Sequence, residues 1–217
     1  MYRPTCDEAP EMHPLTLDTL RQPLESGFIE VHRAAAVAKF PARFMLVLAA
    51  NPCPCGQSGT PYGLCTCTPQ VLHRYRQRIS GPIKDRIDIQ RQILPAARGG
   101  EDGEKPESTA VVAERVQAAR DRQAFRYRDT GWLLNSQIPG PLLRRQFQLD
   151  PTSQKTLENL YTEGRLTARG FDRVVRLAWT LADLEGTARP TPELTHQAYQ
   201  LRSGEPLTPL SDQRPIR

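Results

Sequence analysis

Four cysteines within fifteen residues constrain this chain more than any other feature. Cys53-Pro54-Cys55 and Cys65-Thr66-Cys67 are two C-x-C pairs separated by nine residues. Two such pairs can close a tetrahedral thiolate site, and Gly56, Gly59 and Gly63 let the loop between them turn back. With four protein ligands the site is closed, so zinc bound there orders a loop rather than catalysing a reaction. The alternative reading is a set of redox-sensitive thiols, or one reducible disulfide pair. Cys6 stands apart as a bystander. A metal site agrees with the rest of the chain. The stretch MYRPTCDEAPEM has no apolar h-region, and no apolar run approaches the roughly 18–20 residues of a membrane span. The expectation is a cytoplasmic chain with no membrane partner and no disulfide framework.

With 217 residues, 38% of them hydrophobic and 24% charged, one or two domains with true cores are expected. Leu17, Leu20 and Leu24 predict a helix over 14–26, kinked in its last turn by Pro23 and ended by Gly27. Residues 28–44 (FIEVHRAAAVAKFPARF) read as a β-hairpin with its tip near Ala34–Ala38. Met45–Ala50 is a continuous apolar run suited to a strand buried on both faces of a parallel sheet. MYRPTC, by contrast, is too polar and short for a central strand. Residues 71–92 are basic and helical at first, break at Ser80-Gly81-Pro82, and then offer an apolar strand after Arg86.

Residues 94–107 combine glycine, proline and acid as a linker, and everything beyond is helical. Ser108 caps a helix to about Asp129, with Val112, Val116 and Ala119 facing inward. Pro151 opens a helix to about Tyr161, and Thr167 caps one to about Leu184. Phe171, Val174, Val175, Ala178, Leu181 and Ala182 form an apolar stripe on the latter. A last helix covers about Thr191–Leu201. The division is thus an α/β core over 1–93, a linker over 94–107, an all-α domain over 108–202 and a polar tail over 203–217.

The net charge is +5, and arginine greatly outnumbers lysine. That skew suits bidentate phosphate contacts, or equally a genome rich in arginine codons. Arg33 and Lys39 of the hairpin and the run Arg74, Arg76, Arg78, with Tyr75 as the only interleaved aromatic, predict weak, sequence-independent DNA binding with little base stacking. A solvated helix face is the competing reading of that run. Arg169, Arg173 and Arg176 share one helical face and either stay in solvent or meet phosphate. Asp7-Glu8 can hold magnesium through one carboxylate and orient water through the other, although adjacent acids are also ordinary surface residues.

Taken in order, DEAPE, LRQPLESG, RAAAVAKFPARF, LAANPCPCG, CTCTP, RYRQRISGPIKDRIDI and RVVRLAWTLADLEG resemble the ComM/YifB-type magnesium chelatase-like AAA+ ATPases of bacteria, over nearly all of residues 7–202. The resemblance implies a partial AAA+ P-loop NTPase core, with pre-sensor hairpin and zinc loop, followed by a helical lid. Asp7 and Glu8 match the Walker B pair, Asp7 on magnesium and Glu8 on the attacking water. Asn51 matches the first sensor, Arg86 the arginine finger that completes a neighbouring subunit's site, and Arg169 the second sensor. The hairpin matches one that projects toward DNA in related ring helicases, making His32, Arg33 and Lys39 its phosphate contacts. The family acts as hexameric, ATP-driven branch-migration helicases in recombination during natural transformation.

One departure is large. No G-x-x-x-x-G-K-[ST] occurs, and GGEDGEK at 99–105 fails the pattern. The expectation is therefore a truncated family member that does not hydrolyse ATP by itself. The rival reading is a zinc-stabilised basic module that binds DNA or docks to full-length rings. A chelatase subunit for tetrapyrrole synthesis fits less well, because the C-x-C pairs match the ComM type.

Overall fold

The computed structural model describes residues 4–33, 36–59, 63–93 and 107–207. Residues 94–106 of the expected linker, Ala34 and Ala35 at the expected hairpin tip, Met1–Arg3 and the tail from 208 onward lie outside the described residues. The chain divides into two compact units, Met1–Ile87 and Asp88–Arg217.

The first unit is mixed α/β. The expected helix over 14–26 is two short ones, α1 (Pro14–Thr19) and α2 (Arg21–Ser26). Pro23 lacks the N–H that would bond the Thr19 carbonyl, and its ring crowds that carbonyl, so the break falls before it rather than in the last turn. Gly27, at φ 74°, ends α2 as its sequence position predicts. MYRPTC forms no central strand among the described residues, but its last two residues, β1 (Thr5–Cys6), run parallel to β4 (Val47–Leu48) as one half of a two-stranded sheet. Pairing with a neighbour, which a single segment cannot reveal, overrides the low propensity of β1. Nor is the Met45–Ala50 run buried on both faces, since Met45 is 43% and Val47 42% exposed. A two-residue ladder with one neighbour covers little.

Between them, β2 (Phe28–Arg33) and β3 (Ala36–Pro41) form the expected antiparallel hairpin, with Ile29 opposite Phe40, Val31 opposite Ala38 and Arg33 opposite Ala36. Thr68 caps α3 (Pro69–Gln77) through the Val71 N–H, and α4 (Gly81–Lys84) follows. Ser80-Gly81-Pro82 therefore starts a turn of helix as well as ending one, because the Ser80 carbonyl accepts the Ile83 and Lys84 N–H groups. Among the described residues no strand follows Arg86. Asp88 and Gln90 bond within the second unit instead: Gln90 gives its backbone N–H to the Leu201 carbonyl (2.7 Å) and its side-chain amide to that of Arg202 (3.2 Å).

The second unit is all α: α5 (Thr109–Arg126), α6 (Gly140–Gln146), α7 (Pro151–Thr162), α8 (Ala168–Glu185) and α9 (Pro192–Ser203). Ser108, Asp150, Thr167 and Thr191 cap α5, α7, α8 and α9 by accepting first-turn N–H groups. The α8 stripe forms the core as its spacing predicts, with Val174, Ala178 and Ala182 fully buried and Leu181 partly so. Leu143, Leu157, Leu160, Tyr127 and Tyr199 complete it, and Tyr127, Phe147 and Trp179 meet edge to face. In α5 only Ala119 of the three expected core residues is buried; Val112 and Val116 are 39% and 43% exposed. Beside the core, fully buried Asp183 accepts from Arg126 (3.0 Å, a second contact being shorter) and from Asn135 (2.9 Å), while the Tyr127 hydroxyl donates to Asn135 (2.6 Å).

Candidate functional site

The cysteine loop follows β4. Gly56 (φ 75°) lets its N–H reach the Cys53 carbonyl at 2.9 Å, folding the first C-x-C pair into a knuckle. The chain then returns, and the four sulfurs lie within 4.8 Å of one another. Cys53 Sγ is 3.3 Å from Cys55 Sγ and 3.8 Å from Cys65 Sγ, and Cys55 and Cys65 are 3.6 Å apart. An ion about 2.3 Å from each of four tetrahedral thiolates would set the sulfurs roughly 3.8 Å apart, so the donor set and spacing fit zinc. The Ser58 N–H adds a bond to Cys53 Sγ at 3.2 Å, a contact to the ligands that the spacing of the cysteines does not announce.

The electrostatics of the cluster ask for a cation. The Gln57 backbone N–H, the Cys53 thiol and the Thr66 backbone N–H together lower Cys55 to about 6. Cys67, against the lowering effect of the Cys55 backbone N–H, is pushed up to about 12 by the Cys55 side chain and by burial. Ionising one thiol thus opposes ionising the next, and a bound dication removes that opposition.

On the neighbouring edge, the parallel β1–β4 pair aligns two chain segments at one end. Cys6 O accepts from Ala49 N and Ala49 O from Ala9 N, both at 2.9 Å. Asp7 and Glu8 after β1, and Asn51 after β4, therefore leave the same end of the ladder, all three exposed. Asp7 Oδ1 accepts the Glu8 N–H at 2.9 Å. Glu8 has φ 50°, the one positive φ among described non-glycine residues, a conformation that a glutamate adopts only where the surroundings hold it.

The basic residues separate into groups. Arg86, whose side chain is 10% exposed, pairs with Glu25 and donates to the carbonyls of Arg21 (3.1 Å) and Pro82 (2.9 Å). Arg78 donates to Pro10 O (3.0 Å) and pairs with Glu11 (2.6 Å), while Arg74 and Arg76 are exposed. Tyr75, the aromatic expected beside them on a nucleic-acid surface, is buried instead. It sits three residues from Leu72 and faces inward while its arginine neighbours face out, as helical spacing requires. On the hairpin, Glu30 lies 3.7 Å from His32 and 3.9 Å from Lys39, and Lys39 sits 3.3 Å over the Phe28 ring. Arg33 points to the opposite face of the ribbon. In α8, Arg169 is exposed, Arg173 pairs with Asp88, and Arg176 donates to the Ile138 carbonyl at 2.7 Å, its guanidinium lowered from its ordinary range by burial. Glu25 and Glu30 were legible only in part. Period-two alternation puts Glu30 beside His32, but the pairing of Glu25 with Arg86 spans sixty residues and carries no local signal.

Two profiles of one family match this sequence: magnesium chelatase, subunit ChlI, over residues 5–100, and its C-terminal region over residues 106–202. An uncharacterised protein of Mycobacterium tuberculosis is 41% identical over 184 residues, covering 85% of this chain and 36% of its own length. The uncharacterised protein YifB of Escherichia coli is 36% identical over 199 residues (91% and 38%). Competence protein ComM of Haemophilus influenzae is 37% identical over 182 residues (83% and 35%). The chain spans little more than a third of the length of these relatives. No described helix is long and apolar enough to cross a membrane.

Proposed function

The chain belongs to the magnesium chelatase-like family of ComM and YifB relatives, and from that premise we propose that it carries the hydrolytic edge, zinc loop and helical lid of an ATP-driven motor acting on DNA. One observation carries the reading: the parallel β1–β4 pair brings Asp7, Glu8 and Asn51 to one end of a ladder, beside the cysteine loop. Asp7 would hold magnesium mostly through water and phosphate oxygens, as that hard, reluctantly dehydrated ion prefers. Glu8 would orient the attacking water, with Asn51 fixing its position. Arg169 at the start of α8 would meet the nucleotide's phosphates. Arg86 would reach an adjacent subunit of a hexameric ring by exchanging Glu25 for the phosphate. Zinc would fix the loop that follows Asn51, and so the sensor itself.

The substrate is DNA, engaged without sequence preference by the hairpin, and the cellular role is branch migration in recombination; the name of the Haemophilus relative, a competence protein, is compatible with a role in DNA uptake. ATP turnover also needs a phosphate-binding loop, and none lies within these 217 residues. The zinc-loaded chain is therefore expected to bind DNA in a salt-dependent way without measurable ATP hydrolysis. Turnover abolished by Glu8→Gln would show a phosphate cradle within this chain and overturn that expectation. Binding to neither single- nor double-stranded DNA at low salt would remove the DNA reading.

A further inference from the structure

The β2–β3 ribbon has two unlike faces. Strand pairing puts Phe28 with Pro41, Glu30 with Lys39 and His32 with Val37 on one of them. There Glu30 balances both cations, and Phe28 lies under the Lys39 ammonium. The other face carries Ile29 with Phe40, Val31 with Ala38 and Arg33 with Ala36. Arg33 is the only charged residue on that face among the described residues, and the face bears no acid. Ile29 is 42%, Val31 38% and Phe40 55% exposed, so no described residue covers them fully. Val31, Arg33, Ala36, Ala38 and Phe40 line a groove of about 360 Å³. A two-stranded ribbon left bare in water is marginally stable, so a partner on this face also stabilises the fold.

Resting on the DNA reading above, we infer that this apolar face is a stacking platform for single-stranded nucleic acid, with a base on Phe40 and a phosphate at Arg33. Charge complementarity selects the occupant. An aromatic ring, small flanking side chains and one uncompensated cation suit a ligand with flat apolar faces and an anionic backbone. From the Ile29–Phe40 pair to the Arg33–Ala36 pair is about 14 Å, four residues at about 3.4 Å, so the stacked base and the bound phosphate belong to different nucleotides. His32 and Lys39, on the compensated face, contribute little. On this inference Phe40, and not Tyr75, is the aromatic that meets a base.

The test is titration of a fluorescein-labelled (dT)20 with the zinc-loaded 217-residue chain at several salt concentrations. Phe40→Leu is expected to weaken binding roughly tenfold with an unchanged salt slope, and Phe40→Tyr to restore it. Arg33→Gln should reduce the slope by about 0.7, and Lys39→Gln by clearly less. Phe40→Trp should give fluorescence quenched by the oligonucleotide. Normal affinity in Phe40→Leu overturns the platform, as does a Lys39→Gln loss equal to that of Arg33→Gln. Tight salt-dependent binding of duplex and (dT)20 alike, indifferent to Phe40→Leu, leaves the DNA reading standing and rejects the inference. No DNA binding at all rejects both. Self-association that Phe40→Leu abolishes, with DNA affinity intact, makes the face a protein interface and overturns the proposal.

Discussion

The two units hold together by different means. In the second, Leu143, Leu157, Val174, Ala178 and Ala198 are fully buried in one apolar cluster spanning α6 to α9. In the first, the buried apolar residues among those described are Ala9, Pro10, Leu17, Pro23, Cys53, Tyr75 and Ile83, scattered among short elements, and Cys53 belongs to the thiol cluster. The second unit thus resembles an ordinary helical domain stabilised by area removed from water. The first is joined by cross-links: the loop of four clustered thiols, Arg86 between α2 and α4, and Arg78 to the turn after Glu8. Polar cross-links leave the end of the β1–β4 ladder exposed at Asp7, Glu8 and Asn51, where an apolar core would bury it.

The largest effect should come from the metal. Stripping zinc with a strong chelator, or Cys53→Ser, is expected to abolish the first unit's thermal transition and leave the second's in place. A structural zinc site contributes on the order of 10 kcal/mol to folding. Calorimetry with and without chelator reads this, together with one equivalent of zinc per chain. Two transitions moving together, or neither moving, breaks the contrast. The reverse probe is Asp183→Ala, which leaves the Arg126 guanidinium half-buried without its carboxylate. It should cost about 3–5 kcal/mol and lower only the second transition, by more than about 10 °C.

The smallest effect concerns pH. Burial holds the His196 imidazole below its ordinary range, Glu205 offsetting part of the shift. The unfolded chain then takes up a proton at higher pH than the folded one. Stability of the second unit is therefore full above the unfolded value, about 6.5, and falls as pH drops through it. Melting curves at pH 7.5 and 5.5 should show the second midpoint falling by on the order of 1–2 °C more in wild type than in His196→Gln.

Where the fold follows from local chemistry, the sequence announces it. Ser108 and Thr167 precede helices and cap them, the α8 stripe repeats at helical spacing and forms the core, and two C-x-C pairs bring four sulfurs together. What escapes is whatever a distant partner decides. Thr5–Cys6 becomes a strand only because Val47–Leu48 lies alongside, and Val112 is exposed because α5 meets α8 mainly through its later turns. The hairpin is intermediate. Its existence follows from composition, but register alone separates Arg33 from Lys39.

The bonds from Gln90 to the last turn of α9 mean that the first described residues of the second unit meet its last described helix at one spot. The carbonyls of Leu201 and Arg202, which at most helix ends find a local donor or water, draw theirs from a residue more than a hundred positions upstream. The unit is therefore a closed circuit, fastened like a clasp where the chain first enters it. A chain cut at Ser108 would keep every described helix of this unit and lose the fastening, so α9 would fray first, from the end that Gln90 now holds.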